Sequence, residues 1–388
     1  MSDETRSASL KEIPVLLFVR GATLLTVMLT LLGSLHWYLG LRLIRDTGLP
    51  SAAWGVIWAL LAVLLGGFIG GRVLPRPAAK VLQWFGFMWM GAFGLLVTGF
   101  AVSDLVLLIA GKFTTPQADW ELWRTVTVLA VVGPTLAWGF YVSGRPATKR
   151  ITIDIPGLHQ SLDGFRIVQL SDVHIGETLD RRFAKTVTAH ANGLKPDLIA
   201  VTGDLIDGAV HKLRDEVQPL SELRAEHGVY YVTGNHEYYH GGSAWQAEAR
   251  RLGFTVLHNE HVVVADGKLV IGGVPDVEGG NFSPAHAPDA HATFASAPVD
   301  VPRILLAHQP RFAKAAAAVN VALMLSGHTH GGQIFPFMFF VKLQQPVIGG
   351  FSTLHGVPTY TSNGTGYWGP PFRIGARGEI TEVTLRSA

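Results

Sequence analysis

No cysteine occurs among the 388 residues. Disulfides and thiolate metal sites are therefore excluded, while the compartment stays open, because a cysteine-free chain works on either side of a membrane. Charge is scarce as well. Only 15% of the residues are charged and the formal net charge is +2, so no strong field points to a polyanionic or polycationic partner. A basic stripe and a series of stacking aromatic residues are also missing, and no nucleic acid partner is expected. Apolar surface takes their place: 48% of the residues are hydrophobic, and mean hydropathy is positive. That is too apolar for an ordinary soluble enzyme, and the length allows two or three domains.

The two halves differ in kind. Of 16 histidines, 15 follow residue 150, whereas eight of ten tryptophans precede it. Four apolar stretches (21–41, 52–71, 81–103 and 122–142) are each close to the roughly 20 residues that cross a bilayer. Trp37, Tyr38, Trp54, Trp84, Trp120, Trp123 and Tyr141 gather near their ends, where amphipathic rings meet headgroups. The stretches lack the polar face of helices in a soluble core. The first is too long for a cleavable signal, and "SLHWYLG" is no small-residue cleavage pattern. We therefore expect a membrane domain of four transmembrane helices over 1–142 and a Gly/Pro/basic linker over 143–150.

Orientation follows from the short loops. Arg6, Lys11, Arg20, Arg72, Arg76, Lys80, Arg145, Lys149 and Arg150 fall on one side; Arg42, Arg45, Lys112 and Arg124 fall on the other. The positive-inside rule then places the N-terminus and the second half in the cytoplasm. His36 and Asp104 are ionisable residues at span ends, where interfacial solvation is the expected explanation.

From residue 151 the pattern changes to short β-branched runs ended by glycine and polar residues. Six stand out: "FRIVQLSDVHIG", "PDLIAVTGDLIDG", "GVYYVTGNHEYY", "KLVIGGVPD", "PRILLAHQP" and "VALMLSGHTHGG". Helical segments are expected at 181–194, 212–227 and 244–252, giving an α/β sheet whose ligands collect beyond the C-terminal strand ends. Five of the six runs end in candidate ligands; "KLVIGGVPD" ends in Asp276 and joins no motif. Asp172 and His174, one residue apart, can point to the same side of an extended turn. Asp204, Asn235, His236, His308, His328 and His330 follow at later strand ends. Carboxylate, imidazole and amide oxygen without thiolate suit Mn²⁺, Fe or Zn²⁺. Four ligands per metal with one shared carboxylate would use seven of these residues, which is the arithmetic of a two-metal hydrolytic site.

The motifs Asp172-Val173-His174, "GDLID" (203–207), "GNHE" (234–237), His308 and "GHTH" (327–330) stand intact and in order. In this series the domain 151–388 resembles the calcineurin-like metallophosphoesterases. The resemblance implies a β-sandwich flanked by helices, with one divalent ion on Asp172, His174, Asp204 and His330. The second would lie on Asp204, Asn235, His308 and His328, with Mn²⁺ ahead of Zn²⁺ or Fe. It implies a catalytic His236, facing the leaving-group oxygen or the scissile phosphate and oriented by Asp207; a merely buried pair is the alternative. The branch with a similar glycine-rich turn and arginine at "NGTGYWGPPFR" contains bacterial membrane-associated phosphodiesterases and enzymes that cleave the pyrophosphate of UDP-diacylglucosamine. Taken with the four apolar stretches, which alone give the multi-pass topology, that branch implies a bacterial inner membrane, with the bilayer and a lipid-linked phosphate as partners. The four spans lie outside the family's catalytic fold.

Some residues stay open at this level. Arg373 could bind a substrate phosphate or pair a carboxylate. His240 reads as a surface residue and "HAPDAHATF" (286–294) as a loop. The run "IFPFMFFV" (334–341) begins four residues after His330 and could be core beneath the sheet or an apolar rim that dips into a bilayer. The expected function is hydrolysis of a phosphodiester or pyrophosphate in a lipid-linked substrate by metal-activated hydroxide. The alternatives are a tethered phosphoesterase for a soluble nucleotide-like substrate and a catalytically silent membrane sensor.

Overall fold

The structure, a computed structural model, describes residues 3–111 and 119–388. Lys112, counted above in the orientation, lies outside the described residues. The chain divides into two units, Met1–Pro134 and Thr135–Ala388.

The first half is built on α1 (Asp3–Gly40), α2 (Trp54–Val73), α3 (Arg76–Ala110) and α4 (Trp120–Ser143). Four helical stretches, Gly21–Arg45, Ser51–Gly70, Pro77–Ala110 and Trp120–Ser143, are long and apolar enough to cross a membrane. The third extends beyond the expected 81–103, since no glycine or proline interrupts "DLVLLIA" before Gly111. Small residues let α2 and α3 approach closely: a Cβ on Gly86 would come within 2.9 Å of Val63 O and 3.0 Å of Gly67 Cα.

His36 departs from the expected interfacial solvation. It is fully buried, accepts a hydrogen bond from Trp89 Nε1 at 3.0 Å and stacks on Phe93 at 4.2 Å. An indole N–H only donates, so His36 Nδ1 carries the proton toward Leu32 O, 2.8 Å away. Asp104 is likewise held by protein. Tyr38 Oη donates to it at 2.6 Å, Arg42 Nη2 at 2.7 Å and Arg124 Nη1 at 3.1 Å, while Asp46 takes a further N–H from Arg42 and one from Arg124. Charges near an apolar bundle are thus satisfied by one another, as such an environment requires.

The second unit contains two six-stranded sheets. The first has the order β1 (Ala147–Ile155), β12 (Glu379–Ser387), β2 (Arg166–Leu170), β3 (Leu198–Val201), β4 (Val229–Tyr231), β5 (Thr255–Val256). The second has the order β10 (Gly350–Leu354), β11 (Val357–Thr361), β9 (Leu323–Ser326), β8 (Arg303–Leu306), β7 (Leu269–Gly273), β6 (Glu260–Val264). Strands β2–β5 run parallel, as do β7, β8, β9 and β11. Apart from the short edge strand β5, these strands are buried on both faces for most of their length, which is why they read as continuous apolar runs. Alternation sorts their side chains. Ile167, Leu198, Ala200, Leu306 and Leu325 share the core between the sheets. Val168, Leu170, Ile199 and Val201 face a second core with α5 (Arg181–Gly193), α6 (Val210–Val217) and α8 (Gly242–Arg251). Val270, Leu305 and Met324 face a third.

Three boundaries differ from expectation. The segment 212–227 is not one helix: α6 stops at Val217 and Pro219 enters a 3-10 turn over Gln218–Glu222, because proline cannot continue the α-helical ladder. The stretch 286–294 is half helical, over Ala290–Phe294, capped by Asp289. Half of the linker 143–150 is strand: β1 starts at Ala147 and pairs in parallel with β12.

Candidate metal centre

The ligand loops leave β2, β3, β4, β8 and β9 at their C-terminal ends, and the backbone there is unusual. Asp172, His174, Asp204, His328 and His330 have φ of 52°, 51°, 51°, 71° and 53°. Each non-glycine residue in such a conformation costs about 1–3 kcal/mol and persists only where its surroundings dictate it. The turn at 172–174 is therefore not extended. Its backbone is tied to the neighbouring loop instead, Asp172 N to Gly203 O at 3.0 Å and His174 N to Asp204 O at 3.1 Å. Glycine is required between the loops: a Cβ on Gly327 would overlap Ser171 Oγ and Asp172 Oδ2, and one on Gly203 would lie 2.6 Å from Gly234 N.

Three groups of donors converge; one is His174 with Asp207 and His236, and the two made only of expected ligands are Asp172 with His174 and His330, and Asp204 with His308 and His328. In the first of these two, His174 Nε2 faces His330 Nε2 at 3.0 Å, and Asp172 Oδ1 is 3.4 Å from His330 Nε2. In the second, His308 Nε2 lies 3.2 Å from Asp204 Oδ2 and 3.3 Å from His328 Nδ1. Asp204 Oδ2 is also 3.8 Å from His174 Nε2, so one carboxylate oxygen stands between the groups.

The outer partners fix the imidazoles. His308 Nδ1 is 2.8 Å from Thr202 O and His174 Nδ1 is 3.0 Å from Asp207 Oδ1. These oxygens only accept, so Nδ1 carries the proton and Nε2 keeps its lone pair for a ligand. His236 Nδ1 lies 2.5 Å from the same Asp207 oxygen, an ion pair whose angle is not that of a hydrogen bond. Burial alone would lower His236, yet Asp204 and then Asp207 hold it up at about 9. Burial would raise Asp207, but the charges of His174 and His236 outweigh it and keep that carboxyl well below the usual range. Asp207 thus serves both a candidate ligand and the imidazole beside it.

Sequence reasoning missed the work of Glu237. Fully buried, it accepts from Gly234 N at 2.6 Å, Asp204 N at 3.1 Å and Leu205 N at 2.8 Å. One side chain therefore sets two ligand loops, and its place in "GNHE" was the available signal. Asp276, which joined no motif, is buried too and accepts from Gln309 Nε2 at 3.0 Å, next to His308.

Arg373 requires a correction. It neither faces a substrate nor pairs a carboxylate. The side chain is buried, and its five N–H groups go to backbone carbonyls: Nε to Gly366 O, Nη1 to His330 O and Asn363 O, Nη2 to Gly364 O and Gly366 O. No donor remains for a phosphate. The guanidinium is a clamp behind His330.

The donors fit divalent ions. They are imidazoles, carboxylates and an amide with no thiolate, and Asn235 Oδ1 is a buried acceptor without a hydrogen-bond partner. Buried polar atoms are rarely left so, and a cation beside Asp204 would satisfy it.

The sequence profile of the calcineurin-like phosphoesterases matches residues 165–332. A zebrafish (Danio rerio) transmembrane protein with metallophosphoesterase domain is 31% identical over 412 residues, covering 100% of this chain and 92% of its own length. The protein of that description from Bos taurus is 38% identical over 275 residues, 68% of this chain and 61% of the relative. A Campylobacter jejuni metallophosphoesterase is 35% identical over 243 residues, 62% of this chain and 63% of the relative. With its two-sheet fold, convergent Asp and His donors and membrane-spanning helices, this chain is a membrane protein that belongs to the calcineurin-like metallophosphoesterase family.

Proposed function

We propose that this protein is a dinuclear metal-dependent hydrolase that cuts a phosphodiester or diphosphate bond in a lipid-linked substrate at the cytoplasmic face of a bacterial inner membrane. The excess of basic residues in the loops of one side supports that orientation. Asp172, His174, Asp204 and His330 would hold one ion, and Asp204, Asn235, His308 and His328 the other. Divalent ions, Mn²⁺ before Zn²⁺ or Fe, supply positive charge for the phosphoryl oxygens and acidify water. His236, backed by Asp207, gives a proton or positive charge to the departing oxygen.

The apolar rim carries the lipid part of the proposal. Ile334 is buried, and beyond it Phe335, Phe337, Phe339, Phe340 and Leu343 are exposed by 50%, 39%, 58%, 65% and 81%. Half-exposed Trp368 lies 5.8 Å from the His236 ring, between centroids. Soluble surfaces rarely gather large apolar side chains in this way. At a bilayer such rings would sink among the headgroups and bring a lipid phosphate toward the ligands.

The test is the intact protein, loaded in turn with Mn²⁺, Zn²⁺ and Fe²⁺ and assayed in mixed micelles. Diesters, diphosphates and monoesters are each offered in soluble and lipid-linked form. We expect kcat/KM for a lipid-linked diester or diphosphate to exceed that of its soluble counterpart by about tenfold or more, the worth of partial burial of one large side chain at the rim. His236→Ala should lower turnover by about 10²- to 10⁴-fold. Equal turnover of both forms would leave a tethered enzyme for soluble substrates, and no turnover in any arm would leave a silent sensor.

A further inference from the structure

With Arg373 sealed behind His330, the rim of the centre offers another cation. Just past His308 the chain makes a 3-10 turn over Pro310–Phe312. Pro310 and Phe312 are buried and anchor the turn, while Arg311 between them is exposed. Its Nη2 is 3.6 Å from Glu278 Oε1, with the two side chains 44% and 33% exposed. That distance is beyond hydrogen-bond reach. Among the described residues Arg311 makes no hydrogen bond and no closer ion pair. Its fork of donors faces solvent, where a bidentate anion could take it.

Its surroundings point toward the site. Glu278 accepts a hydrogen bond from Tyr239 Oη at 3.0 Å, and the Tyr239 ring lies 5.4 Å from that of His236. Arg311, Glu278 and Tyr239 therefore form one polar arc along the rim that ends at the imidazole beside the candidate ligands.

We propose that Arg311 is an anion subsite beside the metal centre that takes a second phosphoryl group next to the scissile one, so that the bond cut lies within a diphosphate. This rests on the hydrolase reading above and narrows its substrate class. In the reaction, water oxygen adds to one phosphorus and the bridging P–O bond breaks. The electron pair of that bond goes to the bridging oxygen, which leaves on the second phosphoryl group. Both products are phosphate monoesters, and the protons of the water end in solvent. Negative charge grows on the departing phosphate, where a bidentate guanidinium is well matched to it. A simple diester has no second phosphate for Arg311 to hold.

The experiment compares a soluble P1,P2-dialkyl diphosphate with bis-p-nitrophenyl phosphate, using the intact Mn²⁺-loaded protein and its Arg311→Gln and Arg311→Lys variants. In Arg311→Gln, kcat/KM should fall about 10- to 100-fold further for the diphosphate than for the diester, as expected for losing one charge-assisted bidentate contact. Arg311→Lys should recover part of that difference, and Glu278→Gln, which frees Arg311, should lower KM for the diphosphate. Calorimetry adds a readout apart from turnover: Arg311→Gln should lose affinity for imidodiphosphate more than for inorganic phosphate. Equal losses for both substrates, no loss for either, or hydrolysis of the diester alone by the unsubstituted protein would each overturn the subsite. Failure to hydrolyse either probe or any lipid-linked substrate would bring down the hydrolase reading itself, while the calorimetric comparison still decides the subsite.

Discussion

Arg373 shows what a buried side chain does when, among the described residues, its charge makes no ion pair and only the more distant charges of Asp172 and Glu379 favour it. Burial pushes the guanidinium down to about 10, and it stays tolerable because carbonyls of His330, Asn363, Gly364 and Gly366 all turn toward it. Removing it strands several buried acceptors, each worth about 1–3 kcal/mol. We expect Arg373→Leu to lower the melting temperature sharply and reduce bound metal, by loosening His330. Arg373→Lys, with three donors for five, should recover only part. A variant that melts normally, keeps its metal and shows only a raised KM would return Arg373 to phosphate binding. The convergence of Asp172, His174, Asp204, His308, His328 and His330 was legible because the motif spacing names these donors. The clamp was not, since a sequence gives the identity of an arginine and not the direction of four carbonyls. Glu237 was hidden for a similar reason: the motif contains it, but its bonds to Asp204 and Leu205 cross between loops.

At the scale of elements, the run after His330 was ambiguous because an unbroken apolar stretch suits a core and a rim equally. The structure separates the two within a few residues. Ile334 bridges Ile374 and Gly375 and is buried, whereas the short helix Met338–Val341 has no buried residue. Replacing Phe337, Phe339 and Phe340 with serine should therefore cost far less than the roughly 3–5 kcal/mol typical of one buried phenylalanine. Thermal unfolding and metal content should change little. Apparent affinity for a lipid-linked substrate in bilayers should weaken, while hydrolysis of a small soluble diester is retained. Early melting would make this helix core after all, and equal kinetics on both substrates would leave it without a lipid role. Helix limits were legible where a cap or glycine marks them, as at Asp180 before α5, which accepts from Arg182 N. They failed at Pro219, where local apolar spacing outran the helix.

For the whole molecule, the division into an apolar half and a histidine-rich half was legible from composition alone, because bilayer and metal site each demand their own residue types. Sidedness rests on loop charges, and we expect reporter fusions after Arg150 to be cytoplasmic and fusions within 46–51 external. The opposite pattern would move the site to the envelope side and make an envelope phosphodiester the better substrate. The limit of sequence was long-range pairing. Nothing near Ala147 announces that Ala147–Ile155 will find Glu379–Ser387, since the partner lies across the whole domain.

That pairing has a consequence for biosynthesis. Strand β12 sits between β1 and β2 in the sheet order, matching Ile151 with Val383 on one side and Arg166 with Thr384 on the other. The membrane helices leave the ribosome long before Thr384 exists, and so do all seven candidate ligands. Until then β1 and β2 expose open edges to one another across a missing strand, the state most prone to wrong pairing. The nascent chain would be inserted first and sealed last, so a chaperone that shields strand edges has its window between those two events.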